Sequence, residues 1–129
     1  MAKSRKSKTL GQTIKEARTR AGLSLRDVAP RVPINFVYLS EIEKDKNVPS
    51  EKVLQGLADI AALELDFDVL MSLAGKIGDR VFEYLKEQPI FGKIIREIAE
   101  AKPDETTLGE LREQFQLKIN EQQNRNDNR

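Results

Sequence analysis

Apolar residues recur every three or four positions along most of the chain, which is the spacing of one face of an α-helix. Five such segments fit within residues 9–76, and each follows a residue that can cap a helix N-terminus. These candidate caps are Thr9, Ser24, Asn35, Ser50 and Asp66. No segment shows the strict alternation that is typical of a β-strand. The pattern therefore predicts an all-α fold that begins with a five-helix domain at residues 9–76.

The second half of the chain has a different character. Residues 77–120 predict two or three further helices, the last of which starts at a capping box formed by Thr107 and Glu110. Residues 1–8 and 121–129 lack apolar periodicity, and we expect a disordered basic arm and a disordered polar tail. The apolar residues of the intervening helices form a stripe that is too wide for a solvated helix. We therefore predict a dimerisation and control region at residues 77–120.

Composition narrows the range of functions. The chain contains no cysteine and no histidine, which removes thiol chemistry, the commonest general base and the commonest metal ligand. It has no glycine-rich phosphate loop and no metal-ligand spacing, so we predict no enzyme activity, no catalytic residue, no cofactor and no metal. No apolar run approaches the roughly 20 residues of a membrane span, and no apolar segment follows the basic N-terminus as in a secretory signal. We expect a cytoplasmic protein that does not bind membranes.

The net charge of +1 conceals an uneven distribution. Residues 1–20 contain seven basic side chains and one acid, Glu16. Such a basic end suits an arm that contacts a polyanion, although a solvated tail that only aids solubility is an equal alternative.

The most informative segment runs from Leu23 to Lys46. It predicts two short helices joined by a tight turn, with the small residue Ala29 where the helices cross and apolar residues that hold the pair at a fixed angle. The segment resembles the lambda-repressor-like, Cro-type (XRE) family of helix-turn-helix regulators. The residues that carry the resemblance are Ile14–Arg18, Gly22-Leu23-Ser24, Ala29, Tyr38-Leu39-Ser40, Ile42-Glu43 and Pro49-Ser50.

The resemblance implies a role for individual residues in binding double-stranded DNA. The third helix would enter the major groove, which is about 12 Å wide. Its implied base contacts are Asn35, Phe36, Val37, Ser40 and Glu41. The implied phosphate contacts are Ser24, Leu25, Arg26, Lys44, Lys46 and Asn47. Arg18 and Glu43 are implied to form a partly buried ion pair between the first and third helices, which constrains geometry more than it stabilises.

Chemistry leaves some of these roles open. Phe36 and Val37 are apolar and near the exposed start of the third helix, where they can touch thymine methyl groups or pack on Pro33 or Ile34. Glu41 can accept a hydrogen bond from cytosine or stay solvated.

Two prolines depart from the family pattern. Pro30 predicts that the second helix kinks or ends early. Pro33 replaces a turn glycine, excludes positive φ there, and predicts extended backbone at Val32.

The sequence predicts a homodimer, because a short recognition helix binds weakly alone and two linked modules gain from effective concentration. The residues expected in the dimer interface are Phe91, Ile94, Ile95, Ile98, Leu108, Leu111 and Phe115. The alternative is that this stripe packs against the chain's own first domain. A regulatory protein or a protease acting on this region is a further expected partner. The rival function is a protein-interaction module, such as an antitoxin subunit, that reuses the fold. RNA binding is disfavoured by the narrow major groove of RNA duplexes.

Overall fold

A computed structural model describes residues 8–128, and this part of the chain contains α-helices and short 3-10 turns but no strand. The helices are α1 (Leu10–Arg20), α2 (Leu25–Val28), α3 (Phe36–Glu43), α4 (Glu51–Ala58), α5 (Phe67–Leu73), α6 (Asp79–Glu87), α7 (Pro89–Ala101) and α8 (Glu105–Asp127). The all-α prediction, with five helices and then further C-terminal ones, is confirmed. In the described residues, no helix is both long and apolar enough to cross a membrane. The predicted arm at residues 1–8 lies almost entirely outside the described part.

Each of the first five helices begins directly after its predicted capping residue. Thr9 forms a capping box with Gln12 at the start of α1, and its side chain accepts a hydrogen bond from the Gln12 backbone N–H at 3.1 Å. The same type of cap precedes α2 to α5, at Ser24, Asn35, Ser50 and Asp66. Each cap satisfies a backbone donor that the helix itself leaves unpaired. Local sequence therefore fixes where each helix starts.

The core joins the first five helices, α1 to α5. Its largest fully buried apolar side chains are Ile14, Leu39, Ile42, Leu54, Leu57, Leu63, Leu70 and Val28. Ala29 is 2% exposed, so the small residue does lie buried in the helix-turn-helix segment. The core contacts the inner faces of both helices of that segment and leaves their outer surfaces in solvent.

The turn between α2 and α3 is shaped by the two prolines. After Val28 the chain continues as a 3-10 turn at Ala29–Arg31, so α2 ends early, as Pro30 predicts. Extended backbone at Val32 was a wrong prediction: its φ of −84° and ψ of −30° are helical, because its N–H donates to the Ala29 carbonyl at 3.2 Å and its side chain is buried. The Val32–Pro33 peptide bond is cis.

The chain divides into two compact units, the first ending at Phe82 and the second beginning at Glu83. In the second unit no residue from Glu83 to Asn128 is buried. Tyr84 and Phe91 meet edge to face, with ring centroids 5.3 Å apart, and so connect α6 to α7. The domain boundary predicted at residue 76 falls inside the first unit and stays a prediction.

Two expectations about the C-terminal region are wrong. Helix α8 is capped by Asp104, whose carboxylate accepts from the Thr107 N–H at 2.8 Å, so Thr107 is inside the helix rather than its cap. The Asp104 hydrogen bond with the Thr107 backbone lowers the pKa of that carboxyl. Residues 121–127 are helical rather than disordered. Glutamine, glutamate and arginine extend an existing helix readily, because only its first turn carries the cost of nucleation.

Candidate nucleic-acid interface

Helix α3 separates cleanly into an inner and an outer face. Leu39 and Ile42 are 0% and 1% exposed and fix its inner face to the core. The outer face carries the positions that recur at helical spacing, namely Phe36, Val37, Ser40, Glu41 and Lys44. The structure therefore brings four of the five predicted base-contacting residues onto a single surface, with the fifth, Asn35, at its N-terminal edge.

Phe36 and Val37 are 39% and 53% exposed, which is high for large apolar side chains. They border an open depression of about 430 Å³ on the outside of the helix-turn-helix segment. Asn35 caps α3: its side-chain oxygen accepts from the Tyr38 N–H at 3.0 Å, and its amide N–H₂ group can still donate elsewhere. The start of α3 thus presents an apolar surface beside a hydrogen-bond donor.

Further along α3, Glu41 and Asn47 interact with each other. The Asn47 side-chain amide donates to Glu41 Oε1 at 3.0 Å. This contact joins a residue expected at bases to one expected at phosphate. It holds the carboxylate at the C-terminal edge of the outer face, beside the exposed side chains of Lys44 and Lys46.

The start of α2 carries the other group of predicted phosphate contacts. Ser24 and Asp27 form a reciprocal capping box, in which Asp27 N donates to Ser24 Oγ at 3.0 Å and Ser24 N donates to Asp27 Oδ2 at 2.7 Å. The Ser24 backbone hydrogen bond is the main reason that the pKa of Asp27 is lowered. The Ser24 hydroxyl keeps a hydrogen to donate. Leu25 is half-buried, whereas Arg26 is exposed.

Arg18 and Glu43 join α1 to α3 in a bidentate pair. Arg18 Nε lies 2.7 Å from Glu43 Oε2, and Arg18 Nη2 lies 2.9 Å from Glu43 Oε1. A third N–H of Arg18 donates to the Leu23 carbonyl at 3.0 Å. The side chains are only 12% and 5% exposed, and the Glu43 hydrogen bond raises the pKa of Arg18. The pair fixes the C-terminal end of α3 relative to α1.

A second clamp between α1 and α3 was not predicted from the sequence. The Asp45 carboxylate accepts from Thr9 Oγ1 at 2.6 Å and from the Gly11 N–H at 2.9 Å. A Cβ at position 11 would lie 2.7 Å from the Ile42 carbonyl oxygen and also meet that of Glu43, so only glycine fits this crossing. Asp45 itself has a φ of 60°, which aspartate tolerates better than most residues. Isolated Asp and Gly residues in helical patterns carry no signal of such a contact.

Comparison with known proteins agrees with this geometry. Residues 9–67 match the model of a helix-turn-helix domain family. The chain is 33% identical over 67 residues to the transcriptional regulator ClgR of two strains of Mycobacterium tuberculosis. That alignment covers 52% of this chain and 58% of ClgR, so the chain spans little more than half the length of these curated relatives. A solved structure described as a SinR protein/SinI protein complex is 23% identical with a TM-score of 0.44, and the alignment covers 87% of this chain and 99% of that one.

The described helices and the matched model together define a helix-turn-helix domain, with α2 and α3 as its two characteristic helices. Residues 9–67 match the helix-turn-helix domain family, and the resemblance to helix-turn-helix regulators seen in the sequence is confirmed.

Proposed function

We propose that this protein regulates transcription by binding double-stranded DNA at a specific sequence, as a repressor on a palindromic operator. The observation that carries the proposal is the outer face of α3, where exposed apolar and polar side chains lie together on a rigidly anchored helix. Such a helix fits the major groove, where base edges present a distinct pattern for each base pair. The relatives named transcriptional regulators support this function.

In this proposal, Asn35, Phe36, Val37, Ser40 and Glu41 contact bases. The phosphate contacts come from residues at the two edges of the segment: Ser24, Leu25, Lys44, Lys46 and Asn47. Phosphate contacts add affinity without sequence information, and each released counterion makes binding more sensitive to salt.

The experiment is a selection of bound sites from random duplex DNA, followed by titration of the selected site at several salt concentrations. Val37→Ala should weaken binding to that site about 5- to 150-fold, because each lost base contact costs about 1–3 kcal/mol. Val69→Ala is the matched control, since Val69 is 52% exposed and lies on α5, away from α3. Lys46→Gln should weaken binding to all sequences evenly and flatten the salt dependence. Selection of no preferred site by the wild-type chain would refute the proposed function.

We further propose that the chain acts as a homodimer through α7 and α8. Ile94, Ile95 and Ile98 are 44%, 39% and 36% exposed, and on α8 Leu108, Leu111 and Phe115 are also exposed. Since no residue from 83 to 128 is buried within the chain, a second copy would supply the missing apolar partner. We expect the half-sites bound by such a pair to lie about one helical turn, roughly 34 Å, apart on one side of the DNA.

Light scattering of full-length variants tests the dimer. Ile94→Glu should convert it to monomer, because the change puts a charge in the proposed interface. Leu117→Glu should leave it unchanged, although Leu117 is even more exposed, because position 117 faces away from the α8 residues of the proposed interface. Equal mass for all three proteins would contradict the proposal.

A regulatory protein or a protease that acts on residues 77–120 would release DNA by separating the two copies.

The rival function is a protein-interaction module in which the same apolar surface binds a different chain. It predicts that the purified protein is monomeric and selects no DNA site, and that Val37→Ala changes nothing.

A further inference from the structure

Arg26 and Phe36 form a stacked pair across the helix-turn-helix segment. The Arg26 guanidinium carbon lies 4.4 Å from the centroid of the Phe36 ring, well inside the range of a cation–π contact. Arg26 belongs to α2, and Phe36 is the first residue of α3. The pair therefore holds a cation at the position where the recognition helix begins.

The stacked arrangement leaves the donors of Arg26 free. In such a cation–π contact the guanidinium N–H groups remain available for hydrogen bonds in the plane of the guanidinium. Within residues 8–128 no carboxylate lies at ion-pair distance from Arg26. The adjacent acid, Asp27, is already engaged by the Ser24 backbone N–H. Arg26 can thus make two parallel hydrogen bonds to a planar acceptor without breaking an existing contact.

Distance indicates which acceptor it meets. Successive base pairs in DNA are separated by about 3.4 Å, about 1 Å less than the 4.4 Å between the guanidinium carbon and the ring centroid, so the pair spans roughly one base-pair step. If Phe36 touches the edge of a base, the cation stacked on it reaches the neighbouring base pair rather than a phosphate at the groove wall. The depression beside the pair is lined largely by apolar groups that suit a thymine methyl: Ala29, Pro30, Ile34, Phe36 and Val37.

We infer that Arg26 is a specificity-determining residue, which reads a guanine next to the thymine whose methyl group Phe36 contacts. Guanine presents O6 and N7 to the major groove, the usual bidentate acceptors for arginine. This inference rests on the proposed DNA-binding function. It reassigns Arg26, which the family resemblance places among the phosphate contacts, to the bases.

The first test compares full-length Arg26→Lys and Arg26→Gln on the selected site and on unrelated duplex DNA. Lysine keeps the charge but loses the planar pair of donors. Arg26→Lys should therefore weaken binding to the selected site about 5- to 150-fold, leave binding to unrelated DNA unchanged, and reduce the preference for guanine at one position. Arg31→Lys is the matched control, because Arg31 is another exposed arginine in the adjoining 3-10 turn.

The second test alters the DNA. Replacing that guanine with 7-deazaguanine removes N7, and replacing the adjacent thymine with uracil removes its methyl group. Each should weaken the wild-type complex, whereas 7-deazaguanine should affect Arg26→Lys much less and uracil should not affect Phe36→Ala. Phe36→Leu should lose the same guanine preference as Arg26→Lys, since leucine offers no ring for stacking.

Two outcomes would overturn the inference. The first is that Arg26→Lys retains the full sequence preference while Arg26→Gln weakens binding to all DNA evenly and lowers the salt slope by about one unit, which is the behaviour of a phosphate contact. The second is that 7-deazaguanine weakens DNA binding by wild type and by Arg26→Lys equally. Both leave the proposed function intact, because wild type still binds a specific site, whereas absence of any selected site refutes the function itself.

Discussion

Removal of the Glu43 carboxylate tests how α1 and α3 are held together. In Glu43→Ala, the Arg18 guanidinium loses both short contacts, at 2.7 Å and 2.9 Å, and keeps only its hydrogen bond to the Leu23 carbonyl. The Arg18 side chain is 12% exposed, so water reaches little of the charge that is left unpaired. The folded state therefore has to hold a cation without its counter-ion.

The size of the effect follows from that burial. Breaking a buried pair by removing one partner costs about 3–5 kcal/mol. The surviving Leu23 hydrogen bond places Glu43→Ala near the lower end, at about 3 kcal/mol. For a domain under 100 residues this lowers the melting temperature by roughly 12 °C or more. The double variant Arg18→Met with Glu43→Leu should recover most of the loss, since an apolar pair of similar volume often replaces a buried ion pair without cost.

Urea unfolding followed by circular dichroism measures these free energies. Glu16→Ala is the matched control: Glu16 also forms an ion pair from α1, with Lys8 at 2.6 Å, but the side chains are 62% and 51% exposed. An exposed pair of this kind contributes at most about 1 kcal/mol. If Glu43→Ala costs no more than Glu16→Ala, or if the apolar double variant is less stable than Glu43→Ala, the reasoning from burial is wrong.

Three further predictions follow from the packing and the caps. Gly11→Ala should destabilise the fold by about 3 kcal/mol in urea unfolding, because its Cβ meets backbone oxygens of α3, whereas Gly109→Ala meets nothing within 4 Å and should not destabilise it. Leu54→Ala should cost about 2–5 kcal/mol, as Leu54 is fully buried, against almost nothing for the exposed Leu117→Ala. The Asp27 carboxyl should titrate below its ordinary value of about 3.9 in a carbon NMR titration, so its stabilising effect is present above that pH and is lost as pH falls through the lowered pKa. A midpoint at or above that value would contradict the observed cap.

Much of the first domain could be predicted from local sequence. Caps such as Thr9 and Ser50 act within four residues, so the sequence shows them directly. Gly22, just past the end of α1, has a φ of 73°, a conformation that a glycine adopts without cost. The outer face of α3 could also be predicted, because helical spacing defines it once Leu39 and Ile42 are assigned to the core.

What could not be predicted depends on contacts between distant residues. Asp45 contacts Thr9 and Gly11, which precede it by 36 and 34 residues in the sequence. Neither an aspartate nor a glycine in isolation indicates such a contact. Val32 was predicted to be extended from a local rule about prolines, which its buried side chain and hydrogen bond override. The stacking of Arg26 on Phe36 was missed for the same reason, since it depends on how the turn aligns two helices.

The absence of buried residues between positions 83 and 128 has a consequence for how much of this protein is ordered at a given concentration. Helices of 13 and 23 residues that bury no side chain gain little from tertiary packing, and isolated helices near the shorter of these lengths are marginal in water. Mass action then couples helix content to association, since any partner that binds only the ordered form stabilises it. The helical signal at 222 nm should therefore rise with protein concentration. In a cell, the amount of this protein would itself set the fraction of chains whose second unit is folded.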